Sequence, residues 1–191
     1  MIKSVIKGYG YYVPENVVTN DDLSKLMTTN DEWITERTGI KERRHRKNRN
    51  DSEETTAFLA KKAAEKALEK ANLTAKDLDF IVFATLSPDY FFPGSGVVLQ
   101  EMLGCDTIGA LDVRNQCSGF VYSMSVADAF IKAGTYKNIL VVGAEVHSFG
   151  LDFTDDGRGV SVIFGDGAGA IILSASEDEN EEGVLAVNMH S

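Results

Sequence analysis

The amino-acid sequence predicts an α/β fold in which helices cover both faces of a largely parallel or mixed sheet. The first observation is that apolar, strand-like runs alternate with helical patterns along the 191 residues, an order typical of this class. The second is that several of these runs are apolar on both faces, as strands between two helical layers are. The chain is long enough for one domain with its own core, or for half of a larger one.

The first part of the chain predicts one strand and then three helices. The run IKSVIKGYGYYVP is strand-like and ends in glycine and proline, which interrupt regular structure. TNDDLSKLM and TNDEWITERTG each place Thr-Asn before an acidic first turn, as helix N-termini do. DSEETTAFLAKKAAEKALEKANL is the clearest helix, because its apolar residues recur at helical spacing. Asp51 and Ser52 are candidates for its N-cap.

The second part alternates strands and helices more regularly. LDFIVFATLS is predicted to be a strand buried on both faces, GSGVVLQEML a short helix and TIGALDV another buried strand. SGFVYSMSVADAFIKAGTY predicts a helix whose small residues suit burial on most of its surface. KNILVVGAEV is the next strand, and VSVIFGDGAGAIILS closes the series. The acidic run ASEDENEEG indicates an exposed turn, and VLAVNMHS has the pattern of a new strand.

Charge and composition exclude several classes of function. The net charge is −10, which argues against nucleic acid as the main partner because phosphate contacts require a positive face. The segment KERRHRKNR, residues 41–49, opposes this trend. It is either a solvated basic loop or a patch for a phosphate-bearing cofactor or an acidic carrier protein. No apolar run is long enough to span a bilayer, so a cytoplasmic location is the default prediction.

The two cysteines, Cys105 and Cys117, exclude a disulfide framework and leave a role for a single thiol open. Cys117, in DVRNQCSGF, follows a predicted strand and precedes a long helix. Unpaired N–H groups and the helix dipole favour a negative charge there, which suits a nucleophilic thiolate. The alternative, a buried cysteine acting as a small hydrophobic residue, has about equal weight. Cys105 lies in a predicted turn and is interpreted as structural.

The motif GDGAGA, residues 165–170, is not interpreted as a phosphate loop, because a phosphate loop opens a helix and no helical pattern follows here. A tight turn beside the active site is predicted instead. The histidines are His45, His147 and His190. His147 follows a predicted strand and faces a pocket or the core, and none of the three is assigned as a base. The spacing of the residues matches no metal site.

Four segments in this order, NDEWITERTGIKERR, DVRNQCSGF, LVVGAEV and FGDGAGA, resemble the N-terminal half of β-ketoacyl-acyl-carrier-protein synthase III, a family of the thiolase superfamily. The resemblance implies a thiolase-like fold, with a five-stranded mixed sheet as one of two pseudo-repeated halves. Residues 1–175 are then the half that carries the nucleophile. Residues 176–191 are an acidic turn and the start of a connection to a C-terminal half that this sequence lacks.

The resemblance also implies a chemistry. Cys117 matches the nucleophile that takes an acyl group from acyl-CoA, before a decarboxylating Claisen condensation with malonyl-acyl-carrier protein. Trp33 matches the residue that stacks on the CoA adenine, and Arg37 and Thr29 match contacts to the same end of CoA. Phe92 matches a residue that crosses a homodimer interface to line the partner's acyl pocket. Acyl-CoA is a substrate in this family, and no permanently bound cofactor is implied.

The sequence also departs from the family pattern. Polar residues, Arg114 to Gln116, stand before the cysteine, where small apolar residues are common. Arg158 is a candidate for a second CoA-stacking arginine. Relatives that condense two fatty acyl-CoA molecules have a glutamate in the segment where this chain has Asp89. The family's catalytic His and Asn lie in the second half. A fragment, a half-enzyme subunit or a non-catalytic scaffold with a CoA-binding or dimer surface therefore remain alternatives.

Overall fold

A computed structural model describes residues 2–48 and 53–189. Its centre is a five-stranded sheet in the order β1-β7-β6-β4-β5, beside a separate pair formed by β2 and β3. The strands are β1 Lys3–Tyr12, β2 Val17–Thr19, β3 Glu42–Arg44, β4 Phe80–Ala84, β5 Gly109–Val113, β6 Asn138–Glu145 and β7 Gly167–Ser176. The helices are α1 Asn20–Ser24, α2 Asp31–Thr38, α3 Thr56–Ala71, α4 Ser95–Leu103, α5 Gly119–Lys132 and α6 Arg158–Ser161. Short 3-10 turns cover Ala75–Asp77 and Gln116–Ser118.

The sheet is mixed. Strand β4 runs parallel to both β5 and β6, whereas β7 is antiparallel to β6 and to β1. In register, Ala84 at the end of β4 lies opposite Val113 on one side and Gly143 on the other. The carboxyl ends of three parallel strands therefore meet at one edge of the sheet, which is where open α/β sheets hold their ligands.

Helices cover both faces of the sheet, as predicted. On one face, α3 lies directly on β1, because a Cβ at Gly10 would come within 2.3 Å of the Ala63 carbonyl oxygen. Four alanines of α3 and Ile81 and Phe83 of β4 belong to the same buried cluster. On the other face, Ala127 and Ile131 of α5 pack with the alternate residues of β4 and β6. Successive side chains of β4 thus enter two different cores, which explains why all five residues are buried.

The helix starts follow from side-chain caps. Thr19 and Asp22 form a capping box at α1, and Asn30 accepts the Trp33 N–H at α2. The N-cap of α3 is Thr55. The candidate caps Asp51 and Ser52 lie outside the described residues.

Three expectations from the sequence are wrong. Strand β5 is an exposed edge strand rather than a buried one, because β4 pairs with it on one side only. Only one stripe of α5 is buried, and Val121 on another side is 45% exposed. The motif GDGAGA is not a tight turn, because Gly167–Ala170 belong to β7 and only Gly165 and Asp166 connect the strand to the preceding segment.

The segment after β7 is exposed over residues 177–180, which include a turn. Residues 181–189 form no strand in the structure, although the Val184 N–H donates to the Ser4 carbonyl at 2.9 Å. Within residues 2–48 and 53–189, no helix is both long enough and apolar enough to cross a membrane.

Candidate active site

Cys117 lies between a strand and a helix, as the sequence predicts. It is the middle residue of the 3-10 turn that joins β5 to α5, and its side chain is exposed. The residue before it, Gln116, has a left-handed backbone with φ of 45°, a conformation that costs free energy for any residue with a Cβ. Ser118 donates to the Asn115 carbonyl at 3.1 Å and holds the turn. The alternative of a buried structural cysteine is therefore wrong for Cys117.

A cavity of about 460 Å³ adjoins Cys117 at the edge where β4, β5 and β6 end. Most of its wall is apolar, with Ala84, Leu86, Phe120, Ala144 and Phe164 among its residues. Its polar side chains, besides that of Cys117, are Gln116, Glu145 and His147. An apolar cavity with a thiol and few polar groups suits a small, mostly hydrocarbon ligand that forms a bond to sulfur.

Glu145 and His147 form a pair in this cavity. The Glu145 carboxylate accepts hydrogen bonds from the Leu86 N–H at 2.8 Å and the Ser87 N–H at 3.0 Å. The His147 Nε2 atom lies 3.5 Å from the carboxylate, and the imidazole meets the Phe164 ring edge to face at 5.2 Å. The sequence left His147 unassigned. Its position just after β6, beside the ends of β4 and β5, was the signal that could have placed it here.

Asp166, the second residue of the GDGAGA motif, is a buried hydrogen-bond acceptor. It is 4% exposed, and its carboxylate accepts the Arg46 N–H at 2.7 Å, the Ser148 N–H at 2.9 Å and the Ser148 hydroxyl at 2.6 Å. One buried acceptor thus joins the basic segment to the segment that carries His147. Gly165, beside it, lines the Cys117 cavity.

A second candidate region, called here the Trp33 pocket, lies outside the sheet and comprises the Trp33, Arg37 and Arg158 side chains with the neighbouring residues 24–29 and 153–155. The guanidinium carbon of Arg37 lies 4.6 Å from the centre of the Trp33 ring, and that of Arg158 lies 4.8 Å from it. Arg158 was an open candidate in the sequence, and the structure brings it to Trp33. A neighbouring cavity of about 610 Å³ is lined by residues 24–29 and 153–155. It includes Thr29, whose buried hydroxyl has no hydrogen-bond partner among the described residues.

Exposed polar contacts hold the Trp33 pocket together. The Asp155 carboxylate accepts the Thr28 N–H at 2.5 Å and the Thr28 hydroxyl at 2.7 Å. The Arg158 Nη1 atom donates to the Thr28 carbonyl at 2.5 Å. The hydrogen bond from the Thr28 N–H, followed by that from its hydroxyl, holds the pKa of Asp155 below its usual value. A pocket with stacked guanidinium groups and an unpaired hydroxyl is suited to a flat, anionic ligand.

Phe92 lies in an exposed loop, with 90% of its surface accessible, beside Phe91 with 91%. The alternative of a core aromatic is therefore wrong. Asp89, in the same loop, accepts the Thr56 and Ala57 N–H groups at 2.7 and 2.8 Å and so caps α3. Its carboxylate therefore stabilises the start of this helix.

The basic segment is only in part a solvated loop. Arg43 is buried and donates to the Asn20 side chain at 2.8 Å and to the Val162 carbonyl at 2.9 Å. Burial lowers the pKa of this guanidinium from its usual value. Lys41 and Lys47 are exposed, and Arg49 lies outside the described residues.

Cys105 is partly buried, and desolvation raises the pKa of its thiol, in keeping with a structural role. In the part of the chain that the structure describes, no group of three or more His, Cys, Asp or Glu side chains is placed to hold a metal ion.

Comparison with known sequences gives matches over nearly the whole chain. Residues 111–191 match the family model of 3-oxoacyl-[acyl-carrier-protein (ACP)] synthase III. The chain is 47% identical over 186 residues to β-ketoacyl-[acyl-carrier-protein] synthase III of Aquifex aeolicus. The match covers 97% of this chain and 57% of that protein. The chain thus spans a little over half the length of the curated relatives it matches.

Comparison with solved structures also gives matches over most of the chain. The crystal structure of 3-oxoacyl-[acyl-carrier-protein] synthase III from Aquifex aeolicus matches with a TM-score of 0.86 and 48% identity, over 92% of this chain and 55% of that one. The priming β-ketosynthase of the R1128 polyketide pathway matches with a TM-score of 0.85 and 31% identity, over 92% and 51%. These matches confirm the predicted thiolase-like fold.

Proposed function

The chain belongs to the β-ketoacyl-[acyl-carrier-protein] synthase III family, and on that premise we propose that Cys117 accepts an acyl group from acyl-CoA. The acyl group then takes part in a decarboxylating Claisen condensation with malonyl-acyl-carrier protein, in fatty acid or polyketide biosynthesis. The observation that carries the proposal is an exposed thiol on the wall of an apolar cavity, next to the N-terminus of α5.

The first step requires a thiolate and an open acyl site. The Cys117 sulfur attacks the thioester carbonyl, a new carbon–sulfur bond forms, and CoA leaves as a thiolate that takes up a proton. The helix N-terminus beside Cys117 favours negative charge on the attacking sulfur. The apolar walls then accommodate the acyl chain.

The second step needs groups that promote loss of carbon dioxide from malonyl. The resemblance implies a His and an Asn for this role, in the part of the family's length that this chain does not span. We propose that residues 1–175 form the half with the nucleophile, and that residues 176–191 begin the connection to the other half. The unburied sides of α5 supply a face for that packing.

We assign the CoA nucleotide to the Trp33 pocket, with Trp33 and Arg158 against the adenine and Arg37 and Thr29 at the same end. The stacked guanidinium groups and the unpaired Thr29 hydroxyl support this assignment. Because both arginines already lie near the indole, we expect the adenine either to displace one guanidinium group or to stack upon it. CoA is a substrate here, and the proposal includes no resident cofactor.

We propose that the active unit is a homodimer. Strand β5 is a sheet edge with exposed residues, and edge strands readily pair with another chain. The exposed Phe92 and Phe91 lie in the loop between β4 and α4 and are suited to contact a second copy. For acyl carrier protein, whose docking surface is proposed to be acidic, the exposed Lys41 and Lys47 are the candidate contacts. A cytoplasmic location remains a prediction.

Intact-mass spectrometry after incubation with acetyl-CoA tests the nucleophile. The wild-type protein should gain one acetyl group, Cys117→Ala should gain none, and Cys105→Ser should behave as the wild type. An adduct that persists in Cys117→Ala would disprove the assignment. A wild-type protein that binds CoA but forms no adduct would favour the scaffold alternative. The alternative of condensing two long acyl-CoA molecules loses support, because the Asp89 carboxylate caps α3.

A further inference from the structure

We infer that His147 selects the acyl group that Cys117 accepts. Its imidazole makes the cavity favour an acyl chain that carries a hydrogen-bonding oxygen, such as a hydroxyl, over a plain alkyl chain of the same length. This inference rests on the proposed acyl transfer to Cys117, and it adds a substrate class to that proposal.

The position of His147 is the first support. It shares the cavity of about 460 Å³ with Cys117, so a chain attached to the Cys117 sulfur lies in the same space as the imidazole. The side chain of His147 is 26% exposed. Elsewhere the wall consists mostly of aliphatic and aromatic residues. Together with the Gln116 amide and the Glu145 carboxylate, the two ring nitrogens of His147 are the side-chain groups by which the cavity can distinguish chains of equal size.

The fixed position of the imidazole is the second support. On one side, Glu145 is held by two backbone N–H groups, and its Oε2 atom lies 3.5 Å from the His147 Nε2 atom. The next residue, Val146, donates its N–H to the Ser87 hydroxyl at 2.9 Å. On the other side, buried Asp166 holds the N–H of Ser148. The backbone on both sides of His147 is thus tied to buried groups, and a binding group held in place loses little entropy when a ligand arrives.

The unused nitrogen is the third support. Nε2 faces Glu145, and Nδ1 makes no hydrogen bond to the protein within residues 2–48 and 53–189. A plain alkyl chain would remove water from the imidazole and offer no partner, which is unfavourable. An oxygen on the chain replaces the lost water. One neutral hydrogen bond of this kind corresponds to a preference of about tenfold.

The test is a competition between two acyl-CoA molecules of equal length, butanoyl-CoA and 3-hydroxybutanoyl-CoA, presented together. Their adducts differ in mass by one oxygen atom, so intact-mass spectrometry gives the ratio directly. We expect the wild-type protein to favour the hydroxyacyl adduct about tenfold, His147→Leu to form the two at a ratio near one, and His147→Gln to retain part of the preference. A wild-type ratio in His147→Leu would overturn the inference. Loss of both adducts in a His147→Leu protein that keeps the wild-type melting temperature would also overturn it, because the imidazole would then act in the reaction itself.

A second measurement separates this inference from the proposed acyl transfer. In a Cys105→Ser background, butyl and hydroxybutyl methanethiosulfonates form mixed disulfides with Cys117 and release methanesulfinate, without any CoA chemistry. We expect the hydroxybutyl label to raise the melting temperature more than the butyl label, and this difference to disappear in His147→Leu. Equal shifts in the wild-type protein would overturn the inference. If no acyl-CoA reacts, or if His147→Leu is poorly folded in the first assay, the comparison of the two labels in the wild-type protein still shows whether the cavity favours a hydroxylated chain.

Discussion

The Cys117 cavity and the Trp33 pocket are built in opposite ways. The cavity lies at the ends of three paired strands, and the neighbouring Asp166 carboxylate is a buried acceptor of three hydrogen bonds. The Trp33 pocket lies on short helices outside the sheet, and exposed groups such as Asp155 and Arg158 hold it together. Buried hydrogen bonds are costly to break, whereas exposed ones compete with water. The first region should therefore be coupled to global stability, and the second should be adjustable without unfolding the protein.

The largest effect should come from Asp166→Ala. It leaves the Arg46 and Ser148 donors without their acceptor at a site that is 4% exposed. We expect the free energy of unfolding to fall by about 3 kcal/mol, and acylation of Cys117 to slow with it, because Asp166 stands next to Gly165 in the wall of the Cys117 cavity. Chemical denaturation measures the first quantity. The matched change Asp155→Ala should alter stability by less than about 1 kcal/mol. Equal losses for the two variants would contradict the contrast between the regions.

Trp33→Leu should give the next largest effect, this time on binding. Leucine keeps part of the contact with the small buried cluster of Leu23, Met27, Ile34 and Val162, but the indole is gone. We expect the affinity for CoA to fall about tenfold, since stacking of a base on an aromatic ring contributes roughly 1–3 kcal/mol. Calorimetric titration with CoA measures the change. The rate at which iodoacetamide alkylates Cys117 without CoA serves as the control, and a changed rate would mean that the two regions are not independent.

A smaller effect, dependent on pH, should follow from Asp155. Hydrogen bonds from the Thr28 N–H and hydroxyl lower the folded-state pKa of this carboxyl group. Because the folded-state pKa is lowered, the carboxylate's contribution to the stability of the folded state is complete above the unfolded aspartate pKa, about 4. That contribution is lost as pH falls through the folded-state pKa. Asp155→Asn should therefore weaken CoA binding about threefold at pH 7, and this difference from the wild type should persist below the ordinary aspartate value of about 4 and shrink only as pH falls through the lowered folded-state pKa.

The neighbouring residue supplies the control for this prediction. Asp156 is exposed and makes no hydrogen bond or ion pair with the described part of the chain, so Asp156→Asn changes the charge of the loop without changing its contacts. If Asp156→Asn weakens CoA binding as much as Asp155→Asn does, the effect comes from charge alone, and the role given to the Thr28 contacts is incorrect.

Local sequence patterns predicted helices and strands, but not which segments pack beside them. The helix α3, the buried strand β4 and the turn at Cys117 were predictable because the spacing of residues within a short segment determines them. The exposure of β5 was not, because it depends on which strand ends the sheet. The stacking of Arg158 on Trp33 depends on contacts between segments far apart in the chain. The same is true of the hydrogen bonds by which Asp89 caps α3.

The same limit applies to the histidine in the cavity. The sequence shows that His147 follows a strand, but the register of β6 against β4 decides which pocket its side chain reaches. The position of Cys117 at a strand-to-helix turn was predictable from its own segment, whereas the groups that share its cavity were not.

The smallest expected effect concerns the backbone next to Cys117. Gln116 and Asn72 are the non-glycine residues with positive φ in the part of the chain that the structure describes, at 45° and 53°. Glycine adopts this conformation without a steric penalty, but it also gains freedom in the unfolded chain. We therefore expect Gln116→Gly and Asn72→Gly each to change the free energy of unfolding by less than about 1 kcal/mol. Thermal denaturation of the two variants measures this change.

The two glycine variants should differ in what they do to the thiol. Asn72 only ends α3, whereas Gln116 sets the direction in which the next residue, Cys117, leaves the turn. With glycine at position 116 the turn samples more conformations, so we expect iodoacetamide to alkylate Cys117 about as fast as before while acetyl-CoA acylates it several-fold more slowly. Alkylation needs only an exposed thiol, but acylation needs a thiol aimed at a bound thioester. Equal acylation rates in Gln116→Gly, Asn72→Gly and the wild type would show that the strained residue does not direct the nucleophile.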